Sequence, residues 1–146
     1  LLSLLVLVLV SCQAPRPTNL GVFEVEGKKI LQKCPESPNC INSHFPEDKD
    51  HYLAPLKFQM EKEAARKLLL EVIKRDKSAK IITNDENYIH AEYTSSLLKF
   101  VDDVEFNLSD EGQIHFRSAS RSGYSDLGVN KKRMSQISFY FYQNNM

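Results

Sequence analysis

The sequence predicts a small α+β domain in which an antiparallel sheet of about five strands carries two helices on one face. Residues 61–75 place apolar side chains at helical spacing. Residues 79–116 contain short apolar or alternating segments separated by turn formers, which is typical of paired strands. A second helical pattern follows from Asp126. The predicted order is therefore strand, helix, four strands, helix, and 146 residues suffice for one such domain.

The first strand is predicted over residues 52–58, where Pro55 favours an edge position because it has no backbone N–H to donate. The first helix follows over 61–75. Its first turn is acidic and its last turn is basic, which suits the helix dipole. Its inward face is predicted to consist of Ala65, Leu68, Leu69 and Val72.

The next four strands are predicted as two antiparallel pairs. Residues 79–83 and 88–94 flank a turn-forming segment and read as a hairpin. Residues 100–108 alternate between apolar and polar positions, so one face of this strand is predicted to be buried. Ile114 and Phe116 then return on the same buried side.

The second helix is predicted to run from Asp126, which can cap a helix start, to about residue 142. The aromatic run 139–142 has β-propensity, which leaves the end of this helix open. Its inward side is predicted to consist of Val129, Met134, Ile137 and Phe141.

The N-terminal segment has the features of an export signal. Residues 1–10 are apolar apart from one serine, too short for the roughly 20 residues of a membrane span but suited to the apolar part of a secretory signal. The following Leu9-Val10-Ser11-Cys12 resembles the bacterial lipobox. This resemblance implies that residues 1–11 are a signal-peptide remnant and that Cys12 becomes the acylated first residue of the mature chain. The alternative is an ordinary apolar segment with an incidental cysteine.

Three cysteines leave Cys34 and Cys40 as a pair if Cys12 is acylated. In an oxidising compartment such a pair favours a disulfide, and the turn-forming loop 35–39 can bring the two Cα atoms within about 4.4–6.8 Å. A metal site with His44 as a third ligand is an alternative, but it lacks a fourth ligand and the spacing of a zinc knuckle. Reduced thiols are the remaining alternative.

Two segments resemble a bacterial family of unknown function, the domain-of-unknown-function family 1499. They read Cys34-Pro35-Glu36-Ser37-Pro38-Asn39-Cys40, and Arg117-Ser118-Ala119-Ser120-Arg121 through Asp126-Leu127-Gly128-Val129-Asn130 to Arg133. The resemblance covers most of the chain from Lys33 to Ile137. It implies no settled activity, substrate or cofactor.

The second of these segments is the candidate functional corner. Its candidate residues are Arg117, Ser120, Arg121, Asp126, Asn130 and Arg133. Backbone N–H groups of 125–128 at a helix start, with arginines nearby, suggest an anion site. Asp126 competes for the same donors, so the alternative is an ion pair of Asp126 with Arg121 or Arg133 that stabilises the corner.

The two central strands also carry charges. If Phe106 faces Phe116, Glu105 lies across from Arg117, with Asp103 on the same face. Exposed pairs of this kind contribute only about 0–1 kcal/mol each, so we expect a solvated lattice of ion pairs.

The sequence contains little evidence for a catalytic function. The four histidines His44, His51, His90 and His115 are scattered, although the last could join Asp103 and Glu105 on one sheet face. No phosphate loop, metalloprotease helix, calcium loop, dinucleotide fingerprint or nucleophile elbow is present. The short basic run Lys131-Lys132-Arg133 reads as a solvated helix face.

The sequence thus predicts a signal remnant (1–11), a lipidated tether (12–32) and one domain (33–146). Gln13 after the cysteine suggests the outer membrane in a host with two membranes. We expect a non-catalytic envelope protein without cofactor that binds a protein partner or a small amphipathic ligand between sheet and helices. With Lys plus Arg and Asp plus Glu both at 19, no nucleic acid is expected. The alternative is a hydrolase-like enzyme near Arg117, Arg121 and Asp126.

Overall fold

The structure is a computed structural model that describes residues 14–144. The predicted signal remnant and Cys12 lie outside the described residues. Within this range, neither helix combines the length and apolar character that crossing a membrane requires.

The centre of the domain is a six-stranded sheet with the order β3-β8-β7-β6-β5, and β4 pairs with β8 beside β3. All strand pairs are antiparallel. In chain order the elements are β1 (Val22–Val25), β2 (Lys28–Leu31), β3 (Cys40–Asn42), β4 (Leu56–Lys57), α1 (Lys62–Lys74), β5 (Ala79–Asn84), β6 (Tyr88–Thr94), β7 (Val101–Asn107), β8 (Gln113–Ser120) and α2 (Val129–Gln143).

Both helices pack on one face of the sheet and enclose the hydrophobic core there. The strands contribute side chains that point to this face, among them Val104, Phe106 and Phe116, all fully buried. The helices contribute buried residues to the same cluster, chiefly Ala65, Leu69, Ile73, Met134, Ile137 and Phe141. The predicted α+β class and the two helices on one face are therefore confirmed.

Helix α1 lies within the predicted range, but its buried face differs slightly from the prediction. Leu68 is only partly buried, whereas Leu70 and Ile73 are buried. The predicted positions Ala65, Leu69 and Val72 are in the core.

Helix α2 begins later than predicted. Val129 is its first residue and remains 47% exposed, while Asn130 takes the buried position next to it. The aromatic run stays helical to Gln143 because Phe141 is fully buried in the core, so packing overrides local β-propensity.

The predicted first strand is much shorter in the structure. Only Leu56–Lys57 pairs with β8, and Tyr52 forms a single isolated bridge with Asn42. Pro55 ends the pairing on the N-terminal side because it has no N–H for the ladder.

The hairpin β1–β2 lies in the segment 12–32 that the sequence assigns to the tether. Its turn residues Glu26 and Gly27 both have positive φ (52° and 75°), as the tight turns that suit a hairpin require. Leu31 is fully buried but belongs to neither cluster of core residues, because the hairpin packs on the side of the sheet opposite the helices. The ordered domain therefore starts before residue 33.

Cys34 and Cys40 form a disulfide with a Cα–Cα distance of 5.7 Å, which confirms the predicted pair. The bridge closes the loop that leads into β3, and both sulfur-bearing residues are buried beside Ala119 of β8.

We predict that replacing both cysteines, Cys34→Ala with Cys40→Ala, lowers the free energy of unfolding by less than about 3 kcal/mol, since the closed loop is short. Urea unfolding measures the change. Reduction of the wild-type protein is the matched control and should lower its stability to that of the variant. Equal stability of oxidised wild type and variant would contradict the prediction.

Candidate functional site

The face of the sheet that points away from the helices carries a set of ionisable side chains, here named the charged face. Strand register explains it: Glu105 pairs with Arg117 across β7 and β8, and Glu92 pairs with Asp103 across β6 and β7. Phe106 and Phe116 face each other on the opposite side, as the sequence predicts. The members of the charged face are His90, Glu92, Asp103, Glu105, Arg117 and Arg121.

The expectation that these charges form a solvated lattice of ion pairs is wrong, because the charged face is buried. The exposed fractions of Glu105, Asp103 and His90 are 0%, 1% and 3%. The N-terminal segment lies over them: the N–H of Gly21 donates to Glu105 Oε1 at 2.6 Å, and the carbonyl of Lys29 accepts from the Asn107 side chain at 2.8 Å. The charges therefore interact at a lower dielectric than at a surface.

Arg121 joins two carboxylates within the charged face. Its Nε and Nη2 donate to the two oxygens of Asp103 at 2.7 and 2.8 Å, and Nη2 also donates to Glu92. His90 Nε2 lies 2.7 Å from Asp103 Oδ1. Burial by itself raises the pKa of Asp103, but the hydrogen bonds from Arg121 and His90 outweigh it and lower that pKa. Asp103 is therefore held as a carboxylate.

The ion pair of Glu105 and Arg117 has fewer hydrogen bonds than that of Asp103 and Arg121. Glu105 Oε2 lies 3.5 Å from Arg117 Nη1, and within residues 14–144 neither this oxygen nor Arg117 Nε has a hydrogen-bond partner. Burial raises the pKa of Glu105, although Gly21 and the hydroxyl of Tyr88 donate to its other oxygen. A carboxyl group with a raised pKa suits proton transfer. Since Glu105 is fully buried, no substrate reaches it in this structure.

Three members of the charged face, His90, Glu92 and Asp103, place ligand atoms within 4.8 Å of one another, as a metal site would. Both carboxylates are already hydrogen-bonded to Arg121. The guanidinium thus supplies the positive charge that a divalent cation would bring. The arrangement favours a structural ion network over metal binding.

A second cluster, here named the helix corner, forms where β8 leads into α2. The Asp126 carboxylate accepts the N–H groups of Gly128 and Asn130 at 2.9 and 2.7 Å, and also the side-chain amide of Asn130 at 2.8 Å. Although burial opposes it, the bonds from Asn130 lower the pKa of Asp126. Of the backbone donors considered for an external anion, the N–H of Gly128 is therefore bound to Asp126, and that of Leu127 donates to the hydroxyl of Ser125.

Arg133 completes the helix corner. It donates to Asp102 at 2.7 Å and to the side chain of Asn130 at 2.8 Å. Within residues 14–144 Asp126 pairs with neither Arg121 nor Arg133. Asn130 joins the corner to the disulfide loop, because its amide donates to the carbonyl of Asn39 at 3.1 Å.

The six predicted corner residues therefore divide between two sides of the sheet. Arg117 and Arg121 lie on the charged face, whereas Ser120 hydrogen-bonds Asn130 in the helix corner. Strand alternation separates them, since neighbouring residues of β8 point to opposite faces. Sequence reasoning missed the contributions of Asn39, Asp102, Ser118, His90 and Glu92.

Two histidines that are far apart in sequence come together. The rings of His44 and His115 stack at 3.8 Å, and burial, assisted by His115, lowers the pKa of His44 to about 4. His115 also lies between Ser43 Oγ (3.1 Å) and Asp110 Oδ2 (3.3 Å), the residue types of a catalytic triad. However, Ser43 is 2% exposed and its hydroxyl accepts the N–H of Phe116 at 2.8 Å. This serine therefore holds β8 in place and does not face a substrate.

The feature best suited to a ligand lies between the helices and β6 and is here named the helix cleft. Its volume is about 420 Å³, within the usual range of small-molecule sites. Arg75 lies 5.3 Å from the ring of Tyr140, and Arg133 lies 4.6 Å from the ring of Tyr93. The lining combines apolar, aromatic and cationic side chains: Val72, Arg75, Asp76, Lys77, Tyr93, Arg133, Gln136, Ile137 and Tyr140.

Fold and site together define a small α+β domain with a buried charged face, a self-capped helix corner and an amphipathic cleft between its helices. The family described as "Protein of unknown function (DUF1499)" matches residues 30–139, and the chain belongs to this family. Searches of curated proteins and of solved structures found no match.

We predict that Arg121→Ala lowers the free energy of unfolding by about 3–5 kcal/mol, because it leaves the buried Asp103 without its main partner. Arg16→Ala is the matched control: Arg16 bonds the same Glu92 but is half exposed, so its loss should cost only about 0–1 kcal/mol. Urea unfolding of both variants measures the two effects.

The difference in unfolding free energy between wild type and Arg121→Ala should depend on pH. The lowered pKa of Asp103 stabilises the fold above the ordinary carboxyl pKa of about 4, and this contribution is lost as the pH falls through the folded value. The difference between wild type and Arg121→Ala should therefore shrink in acid. A difference that stays constant across this pH range would argue against the ion network as its source.

Proposed function

We propose that this protein is a lipid-anchored component of the bacterial cell envelope whose domain binds an anionic amphipathic small molecule in the helix cleft. The observation that carries the proposal is the composition of the cleft, where an apolar floor meets three cations and one acid, Asp76. Ligands of this class have an apolar body and a carboxylate or phosphate head.

The apolar part of the cleft would bury the body of such a ligand. Val72 and Ile137 are core residues that also line the cleft, and Tyr93 is 2% exposed. Removing apolar surface from water contributes roughly 25 cal/mol per Å², so a short acyl or aromatic group gains by entering.

The cations of the cleft differ in their freedom to bind an anion. Arg133 is bonded to Asp102, so its charge is largely compensated. Arg75 and Lys77 take part in none of the salt bridges within residues 14–144. These two side chains are the expected partners of the ligand's head group.

The proposed anchor is supported by the sequence of the N-terminal segment. An apolar run of signal-peptide length precedes Leu9-Val10-Ser11-Cys12, and the disulfide between Cys34 and Cys40 suits an oxidising compartment outside the cytosol. A cysteine bearing several acyl chains holds a protein stably on a membrane. Location at the periplasmic face of the outer membrane, in a host with two membranes, is part of the proposal.

The hydrolase alternative finds less support. It places Arg117, Arg121 and Asp126 in one site, but the arginines lie on the charged face and Asp126 lies in the helix corner on the other side of the sheet. Binding is therefore preferred over catalysis.

The anchor predicts a specific effect of Cys12→Ser. In cells fed radiolabelled palmitate, the wild-type chain should incorporate label and sediment with membranes, and the variant should lose both properties. Cys34→Ser with Cys40→Ser is the control, because it removes the other two sulfurs and should leave labelling intact. Equal labelling of wild type and Cys12→Ser would refute the anchor.

If the helix cleft binds such ligands, the wild-type protein should bind decanoate at concentrations below those at which decanoate forms micelles. Arg75→Glu should weaken this binding about tenfold or more, because a charge-assisted hydrogen bond contributes about 1.5–3 kcal/mol. Isothermal titration calorimetry measures the affinities. Lys67→Glu, an exposed charge reversal on α1 outside the cleft, is the control and should bind like wild type. The proposal fails if decanoate does not bind, or if both variants lose affinity equally.

A further inference from the structure

One end of the domain exposes large apolar side chains on two neighbouring loops, residues 95–100 and 121–128. This end is here named the loop end. Its apolar residues and their exposed fractions are Leu97 (87%), Leu98 (63%), Phe100 (55%), Tyr124 (75%) and Leu127 (94%). Single exposed apolar residues are ordinary, but a group of them on adjacent loops marks an interaction surface.

Sheet topology brings the two loops together. Loop 95–100 connects β6 to β7, and loop 121–128 follows β8. Asp102 pairs with Ser120 at this end of the sheet, and the N–H of Arg121 donates to the carbonyl of Val101 at 3.0 Å. The two loops therefore project from the same end of the domain.

The chain from the proposed anchor reaches the domain at this end. Gly21 is bonded to Glu105 in the middle of β7, and Arg16 is bonded to Glu92, two residues before β6 ends. The segment between them thus runs toward the loop end when followed back toward the N-terminus. Cys12 precedes Arg16 by four residues, an extended reach of about 14 Å at most.

Charge at the loop end suits a membrane that contains anionic lipids. Lys99 lies within loop 95–100, and Lys131 and Lys132 lie in the first turn of α2, all three exposed. Asp126, the one acid of loops 95–100 and 121–128, is bonded within the helix corner. Exposed lysines beside apolar side chains are the composition of surfaces that settle at the interface of a bilayer.

We propose that the loop end docks on the phospholipid membrane that holds the anchor, with the side chains of Leu97, Leu98, Phe100, Tyr124 and Leu127 in its interfacial layer. This inference rests on the lipid anchor of the proposed function and adds an orientation to it. The short reach from Cys12 to Arg16 favours the bilayer over a protein partner, because it keeps this end close to the membrane surface.

The test uses the absence of tryptophan from the chain. Leu127→Trp and Leu98→Trp each place one tryptophan at the loop end. Phe23→Trp is the matched control, since Phe23 is also exposed but lies beside the turn between β5 and β6 at the opposite end. Each full chain is purified from membranes and reconstituted into vesicles of phosphatidylethanolamine and phosphatidylglycerol with brominated acyl chains.

Docking predicts that the two loop-end tryptophans shift their emission to the blue and are quenched several-fold more strongly than the control. Equal quenching of all three variants, or stronger quenching of Phe23→Trp, overturns the proposal. Mass spectrometry and vesicle flotation of the same samples report the anchor separately. An acylated, floating protein without selective quenching refutes the orientation alone. A protein that is not acylated and not quenched refutes both, and selective quenching without acylation supports docking while refuting the anchor.

Discussion

The constraint on which the rest of the structure depends is the burial of a charged sheet face. An antiparallel sheet commonly leaves one face to water, yet here that face carries Asp103 and Glu105 at almost zero exposure, and the side chain of Arg121 is only 8% exposed. Buried charges are tolerated only when each is paired or hydrogen-bonded. The β1–β2 hairpin and the residues before it therefore serve as the second cover of the sheet, opposite the helices.

The two faces of the sheet are covered in different ways. The helix side supplies the apolar core, and the helix cleft lies at its margin, with Arg75 and Lys77 among the lining residues. The opposite face carries residue types that are common in active sites, but here they form a buried ion network. In this network the guanidinium of Arg121 supplies the positive charge that a metal ion would bring. Perturbed pKa values thus mark a structural network here, although such values often mark catalytic sites.

Much of the fold followed from local patterns. The hairpin pattern predicted β6 and alternation predicted β7 closely, helical spacing predicted α1, and matching Phe106 with Phe116 gave the correct register. The burial of the charged face could not be predicted, because it depends on Gly21 and Lys29, which lie far from their partners in the sequence. Both residues also belong to a segment that the sequence assigns to the tether. The sequence also suggested one corner site, because its residues are close together along the chain, whereas alternation along β8 divided them between two faces.

The bond from Gly21 to Glu105 spans 84 positions of the chain, and that from Arg16 to Glu92 spans 76. The first residues of the domain to be synthesised therefore find their partners only after most of the chain has followed. Until then the polar side of the sheet remains open to water. Completion of the fold is thus a late, non-local event, and such events slow folding relative to contacts between sequence neighbours.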